Sequence, residues 1–179
     1  IKGMGAPAAD AIVAEREKNG AYKDIFDFAQ RVDFSNVNRK AFESLALSGG
    51  FDSFGIPRED FFAKDSKGNV FLDTLVKYGQ LYQREQQEAV TSLFGGEEAV
   101  EIATPPIPKG EPWSTIEKLN KERELVGIYL SAHPLDDYSI VLHSMCNTHC
   151  TELGDKEALS KKAEIVFGGI VTALRSTFT

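Results

Sequence analysis

Glycines at positions 3 and 5, set beside Ile1 and Met4 and followed from Pro7 by a helix-forming run, constrain this chain more than any other feature. Glycine tolerates positive φ and close backbone approach, so Ile1-Lys2-Gly3-Met4-Gly5 predicts a tight hairpin that uses both properties at Gly3 and Gly5. The helix that follows points its first free N–H groups back at the turn. Backbone donors and the helix dipole together suit a phosphate. Lys2 adds a mobile positive charge. Such a turn grips a nucleic-acid backbone without reading base sequence. The alternative is a helix–helix turn that binds nothing.

The pattern recurs. Pro7 opens a helix over 7–18, Ile12 and Val13 give it an apolar side, and Asn19-Gly20 stops it. Asp24 caps a short helix carrying Ile25, Phe26 and Phe28. Asn36 or Asn38 caps the next, with Phe42, Leu45 and Ala46 inward and Gly49-Gly50 at its end. Phe51-Asp52-Ser53-Phe54-Gly55 is a second hairpin, and Pro57 opens another short helix. Helix, glycine hairpin, helix thus appears twice. The second copy is degenerate and reads mainly as structural, although Gly50-Phe51 remains able to approach phosphate.

Asp65 to Asn69 is a polar turn, and 70–91 is helical, with Leu72, Leu75, Val76 and Tyr82 at steps of three and four. Gly79 weakens that helix by roughly 1 kcal/mol relative to Ala. Gln83 to Gln87 reads as its solvated end. Gly95 to Pro112 carries four prolines (Pro105, Pro106, Pro108, Pro112) and is a linker. Ser114 and Glu117 fit a capping box before the stripe Ile116, Leu119, Val126, Leu130, which His133-Pro134 ends. A short helix follows around Leu135 to His143. Glu164 to Arg175 is β-branched and apolar, with a Gly168-Gly169 bend, and predicts a strand or strand pair.

Composition excludes several classes. The net charge of −7 argues against a protein that coats DNA non-specifically and predicts weak intrinsic DNA affinity. No run approaches the roughly 20 apolar residues that cross a bilayer, so no membrane partner is expected. With two cysteines and no visible signal peptide, a cytoplasmic protein without disulfide staples is expected. The first residue is Ile rather than Met, which suggests a piece of something longer.

These blocks, in this order, resemble the C-terminal third of the bacterial replicative DNA polymerase III alpha subunit. Ile1-Lys2-Gly3-Met4-Gly5 with Ala11-Ile12-Val13 is similar to that family's helix-hairpin-helix region. Asp27-Phe28, Arg31-Val32 and Val37-Asn38-Arg39-Lys40 resemble its next block, and Gly50 to Gly55 its second hairpin. The most specific match is Glu124-Leu125-Val126-Gly127-Ile128-Tyr129-Leu130-Ser131-Ala132-His133-Pro134-Leu135-Asp136. Gly168-Gly169-Ile170-Val171-Thr172 looks like the first strand of an OB-fold. Residues 144–162 carry little of the resemblance.

The resemblance implies a mainly α chain: a tandem helix-hairpin-helix DNA-binding region over 1–90, a linker with a clamp-binding peptide over 91–112, a helical connector over 113–162 and a truncated OB-fold start over 163–179. It implies contacts with duplex DNA at Lys2, Gly3, Gly5, Gly50 and Phe51. It implies contacts with the sliding clamp at Val90, Ser92, Leu93 and Phe94. There Leu93-Phe94 supplies the apolar anchors, while Val90 stands where a Gln is usual and Gln87 lies three residues too early. Other subunits of the replicative holoenzyme are the remaining expected partners. The family's polymerase carboxylates and their Mg²⁺ lie upstream, so this segment is expected to be non-catalytic and free of cofactors.

Rival readings attach to other residues. His143, Cys146, His149 and Cys150 have zinc-ligand chemistry, but one short stretch would have to supply all four. Buried or half-exposed thiols are the expectation there. Ser131, His133 and Asp136 lack a nucleophile elbow, so the His-Pro turn is expected to be structural. Lys118, Lys121 and Arg123, and Lys161-Lys162, read as solvated faces. Trp113 reads as an anchor for the capped helix. The alternatives for the whole chain are a stand-alone helical protein-interaction module and a small metal-dependent hydrolase.

Overall fold

A computed structural model describes residues 1–91, 102–171 and 174–177. Its contacts divide the chain into one unit over Ile1–Leu130 and another over Ser131–Thr179.

The first unit is built from locally capped helices. Helix α1, Ala6–Asn19, starts from the extended backbone of Gly5 with Pro7 in its first turn. Helix α2, Ile25–Arg31, is capped by Asp24, whose Oδ1 accepts from the amides of Phe26 and Asp27 at 2.8 Å. Helix α3, Arg39–Ser48, is capped by Asn38, whose Oδ1 accepts from the Ala41 amide at 3.0 Å. Asn36 instead donates to Asp33. Helix α4 is Phe71–Thr91, and α5 is Thr115–Val126, where Ser114 Oγ accepts from the Glu117 amide at 3.2 Å.

The core is aromatic. Phe28 meets Phe42 at 5.3 Å and Phe51 at 5.0 Å, and Phe61 links Phe51 at 5.5 Å to Phe71 at 6.0 Å. Ile25, Leu72 and Leu75 are fully buried around these rings. Offset and edge-on ring pairs at such spacings add to what area burial alone provides.

Helix α4 lies against α2, and Gly79 explains how closely. A Cβ there would overlap the Ala29 carbonyl oxygen and come 2.7 Å from Phe34 Cζ. The glycine that weakens the isolated helix is therefore the residue that lets α4 reach α2. Gln83 departs from the expected solvated end. Its Nε2 donates to the carbonyls of Gln30 at 2.9 Å and Val32 at 2.7 Å, capping the C-terminus of α2. Those carbonyls have no partner within the helix and would otherwise be orphaned.

A 3-10 turn over Arg58–Phe62 docks the chain from Gly110 to Leu130. Asp60 Oδ1 accepts from the Gly110 amide at 2.8 Å, Glu59 pairs with Lys118 at 3.2 Å, and Arg58 reaches Glu122 at 3.5 Å. Trp113 stacks on Phe62 at 5.5 Å and carries Lys121 over its ring at 4.4 Å, so it anchors the capped helix as expected. Lys118, Lys121 and Arg123 are not a free solvated face, since Arg123 lies over the Tyr129 ring. The expected α5 stripe is also corrected. Gly127 adopts the left-handed conformation and ends the helix at Val126, leaving Leu119 buried while Ile116 and Leu130 are exposed.

In the second unit, a 3-10 turn over Asp136–Tyr138 leads into α6, Ser139–Met145. A second 3-10 turn over Cys150–Gly154 precedes α7, Lys156–Ser160. The His-Pro turn is held locally: Asp136 Oδ2 accepts from the His133 amide at 2.7 Å and His133 Nδ1 from the Leu135 amide at 3.2 Å. Lys162 is not free either, because its Nζ donates to Asn147 O, Thr148 Oγ1 and Glu152. That bond holds the Glu152 carboxyl below its ordinary value.

The expected strand over Glu164 to Arg175 is not formed among the described residues. Val166 satisfies its backbone differently. Its carbonyl accepts from the amides of Asn147 and Thr148, and its amide donates to Asn147 Oδ1 at 2.9 Å. An asparagine side chain thus stands where a neighbouring strand would pair. Among the described residues no helix is long and apolar enough to cross a membrane.

Candidate nucleic-acid interface

The first hairpin is a turn whose amides are sorted into used and free. The Lys2 amide donates to Leu125 O at 2.8 Å and the Met4 amide to Ile1 O at 3.3 Å. The Gly5 carbonyl accepts from Ala8 at 3.1 Å and Ala9 at 3.2 Å, starting α1. The amides of Gly3, Gly5 and Ala6 have no partner among the described residues, and all three residues are exposed. They sit at the positive end of a 14-residue helix.

The two glycines differ. Gly3 has φ +87°, and a Cβ there would come 2.6 Å from Ser44 Oγ and 3.2 Å from Lys40 Cε. It is required both by conformation and by close approach to α3. Gly5 has φ −73°, and a Cβ would meet only Pro7 Cδ at 3.5 Å. The expected positive φ therefore holds at Gly3 and not at Gly5, because the chain has already taken the extended path into the helix there.

The tertiary fold adds a residue that sequence spacing missed. Lys40, exposed on the first turn of α3, is brought beside Gly3 and joins Lys2 as a second cation near the free amides. The two lysines are 38 positions apart, so no local pattern pairs them.

The second hairpin is organised inward. Gly49 has φ +85° and ends α3, with the Arg58 guanidinium pressed where its Cβ would stand. The Gly50 amide donates to Leu45 O at 2.8 Å. The Phe51 ring is 3% exposed at the centre of the core, which corrects any reading of that ring as a nucleic-acid contact. Only the Phe51 backbone amide, which has no partner among the described residues, remains for such a role. Asp52 binds Arg58 through both carboxylate oxygens, at 2.9 and 2.5 Å, and this bond above all raises the guanidinium's pKa against the opposing effect of burial.

Of the residues expected to meet a clamp, Val90 lies in the last turn of α4. Ser92, Leu93 and Phe94 lie outside the described residues. In the second unit, His143, Cys146, His149 and Cys150 line one cavity with Leu142, Thr148 and Gly168. Cys146 is half-buried and Cys150 exposed, both as free thiols. Among the described residues no group of three or more His, Cys, Asp or Glu is placed to hold a metal ion.

A family model described as a helix-hairpin-helix motif matches residues 1–61, which contain both hairpins. The DNA polymerase III subunit alpha of Campylobacter jejuni is 32% identical over 177 residues, covering 98% of this chain and 14% of its own length. That of Haemophilus influenzae is 33% identical over 184 aligned positions, covering 100% of this chain and 15% of its own length. That of Borreliella burgdorferi is 33% identical over 182 positions, covering 98% and 15%. The chain thus spans about one seventh of the length of these relatives. Matched along its whole length to one segment of these subunits, the chain belongs to the DNA polymerase III alpha subunit family.

Proposed function

We propose that this chain is a DNA-binding segment of a replicative DNA polymerase and that its first hairpin holds duplex phosphate. The observation that carries the reading is the group of three free amides at Gly3, Gly5 and Ala6, flanked by Lys2 and Lys40. Backbone donors and two cations suit a phosphate and read no base edge. Lys2→Ala and Lys40→Ala each test it by fluorescence anisotropy on labelled duplexes. Each should weaken binding to every sequence alike and lower the slope of log affinity against log salt by about one. A loss confined to one DNA sequence, or an unchanged slope, would sink it.

The finer parts of the reading follow the family. Residues 1–90 are the DNA-binding region, 91–112 a linker, 113–162 a connector and 163–179 the start of an OB-fold. The Phe51 amide is a secondary phosphate donor. Leu93 and Phe94 tether the chain to the sliding clamp, with Val90 and Ser92 beside them, and Val90 supplies none of the hydrogen bonding of the usual Gln. Val90→Gln should then tighten clamp binding and Phe94→Ala abolish it without changing the melting temperature. A Phe94→Ala protein that melts lower and still binds the clamp would refute the tether.

The whole protein is read as a cytoplasmic nucleotidyltransferase acting with other replication subunits, and this segment as silent in that reaction. Supporting silence, several of its carboxylates are engaged structurally: Asp52 with Arg58, Glu59 with Lys118, and Asp73 with Arg39. Primer extension by the purified chain with Mg²⁺ and deoxynucleotides would contradict it.

A further inference from the structure

We infer that the buried Arg58–Glu122 pair is a positioning device for the first hairpin, setting from α5 where its free amides point. The inference rests on the phosphate-binding reading above. Glu122 is 1% exposed and Arg58 7% exposed, which is rare for charged residues and costly unless they are paired. Their partners show what that pairing holds. Arg58 lies against Gly49 and binds Asp52, both in the second hairpin. Glu122 Oε1 meets Arg58 Nη2 at 3.5 Å, and its Oε2 accepts from the Leu130 amide at 2.9 Å. Leu125, three residues further along α5, offers its carbonyl to the Lys2 amide at 2.8 Å.

One helix thus binds the second hairpin through a charged side chain and the first through a backbone carbonyl. Residues three apart lie on one helical face, so the two attachments move together. The first hairpin is also held where Gly3 rests on Ser44 and Lys40 of α3, where the Met4 side chain packs against the core, and where the turn closes on itself through Met4 and Ile1, but its Lys2 amide is bonded to α5. Seating α5 by Arg58 and Glu122 places the Leu125 carbonyl and, through it, Lys2 and the amide of Gly3. Neither Arg58 nor Glu122 touches DNA in this scheme.

The test is the double variant Arg58→Met with Glu122→Leu. Replacing a buried ion pair by apolar residues of similar volume commonly preserves folding. Asp52 is left half-exposed and can be solvated, as can the amide of exposed Leu130. Three quantities are read: melting temperature, amide exchange at Lys2 by NMR, and duplex affinity across a salt series.

A folded double variant is expected to exchange its Lys2 amide at least about tenfold faster. Duplex affinity should fall roughly tenfold. The salt slope should shrink by about one phosphate. Simple loss of folded protein would lower apparent affinity without changing that slope. Wild-type exchange at Lys2 in the folded double variant overturns the inference. Fast exchange with undiminished affinity upholds the positioning and instead removes the hairpin as the phosphate contact. Should the double variant not fold, Arg58→Lys keeps the charge without the planar fork and is read by the same three measurements. Unchanged Lys2 exchange in that folded variant likewise overturns the inference.

Discussion

The two glycine hairpins of the first unit share a sequence pattern and put it to opposite uses. In the first, Lys2 and Met4 surround Gly3, both glycines of the turn are exposed, and the amides of Gly3, Gly5 and Ala6 have no partner among the described residues. In the second, Phe51 follows Gly50 and its ring joins four other rings within 6.3 Å. The glycines allow the turn in both places; the neighbouring side chains decide which way it faces. A large apolar residue at the tip draws the hairpin into the core, and a lysine leaves it in water. The net charge of −7 makes this local arrangement matter more, because an acidic chain attracts DNA only where cations and amides are gathered.

The largest effect that can break this contrast is expected at Phe51. Phe51→Ala should destabilise the first unit by about 3–5 kcal/mol, the usual cost of emptying a buried aromatic site. Urea unfolding should show it as a large fall in midpoint, whereas Lys2→Ala at the first hairpin should leave the midpoint unmoved. Equal effects at both positions would mean that the hairpins are not differently used.

A middle-sized effect separates the two glycines within the first hairpin. Gly3→Ala imposes a strained φ and a contact 2.6 Å from Ser44 Oγ. It should cost about 1–3 kcal/mol in unfolding experiments and lower duplex affinity as well. Gly5→Ala meets ordinary van der Waals distance and should leave stability nearly unchanged. If phosphate lies against the Gly5 backbone, Gly5→Ala should nonetheless weaken duplex binding several-fold. Wild-type affinity in the Gly5→Ala protein would place the phosphate elsewhere on the turn.

The smallest effect concerns how α1, which carries the first hairpin, is held to α2. Glu15 bonds Asn19 and pairs with Arg31 at 2.9 Å. The Asn19 bond first, then Arg31, holds the Glu15 carboxyl below its ordinary value of 4.5. A carboxyl with a lowered folded pKa stabilises fully above 4.5 and loses that contribution as pH falls through the folded value. Its size should be a few tenths of a kcal/mol, since the pair is partly solvated. The stability difference between wild type and Glu15→Gln should therefore be measurable near neutral pH and vanish in acid. A difference that persists in acid would mean that packing, and not charge, makes this contact.

What sequence reasoning reached without a structure depends on range. Asp24 and Ser114 act on amides two or three residues away, so each is legible as a cap from its own neighbourhood, whereas Asn36 and Asn38 are equally eligible by spacing and only the structure gives the Ala41 amide to Asn38. Gly127 was equally local, but the apolar residues after it suggested that the helix continued; the left-handed stop prevailed. The tail over 164–175 looked strand-forming because its residues are β-branched, and strand pairing depends on a partner that composition does not supply. Gln83 looked solvated because it sits among other glutamines, and only the approach of α2 gives its amide two carbonyls.

By itself, then, the sequence determined the helices of the first unit except where α5 stops, the caps at Asp24 and Ser114, the glycine turns and the family. Each of these is written in residues close together along the chain or in a collinear order of blocks. Tertiary structure alone decided that Lys40 stands beside Gly3, that Phe51 is core, and that Arg58 meets Glu122 across 64 positions. Those outcomes turn on which helix faces meet. Burial is a property of the assembled packing, and a charged or aromatic side chain bears no mark of whether another helix will cover it.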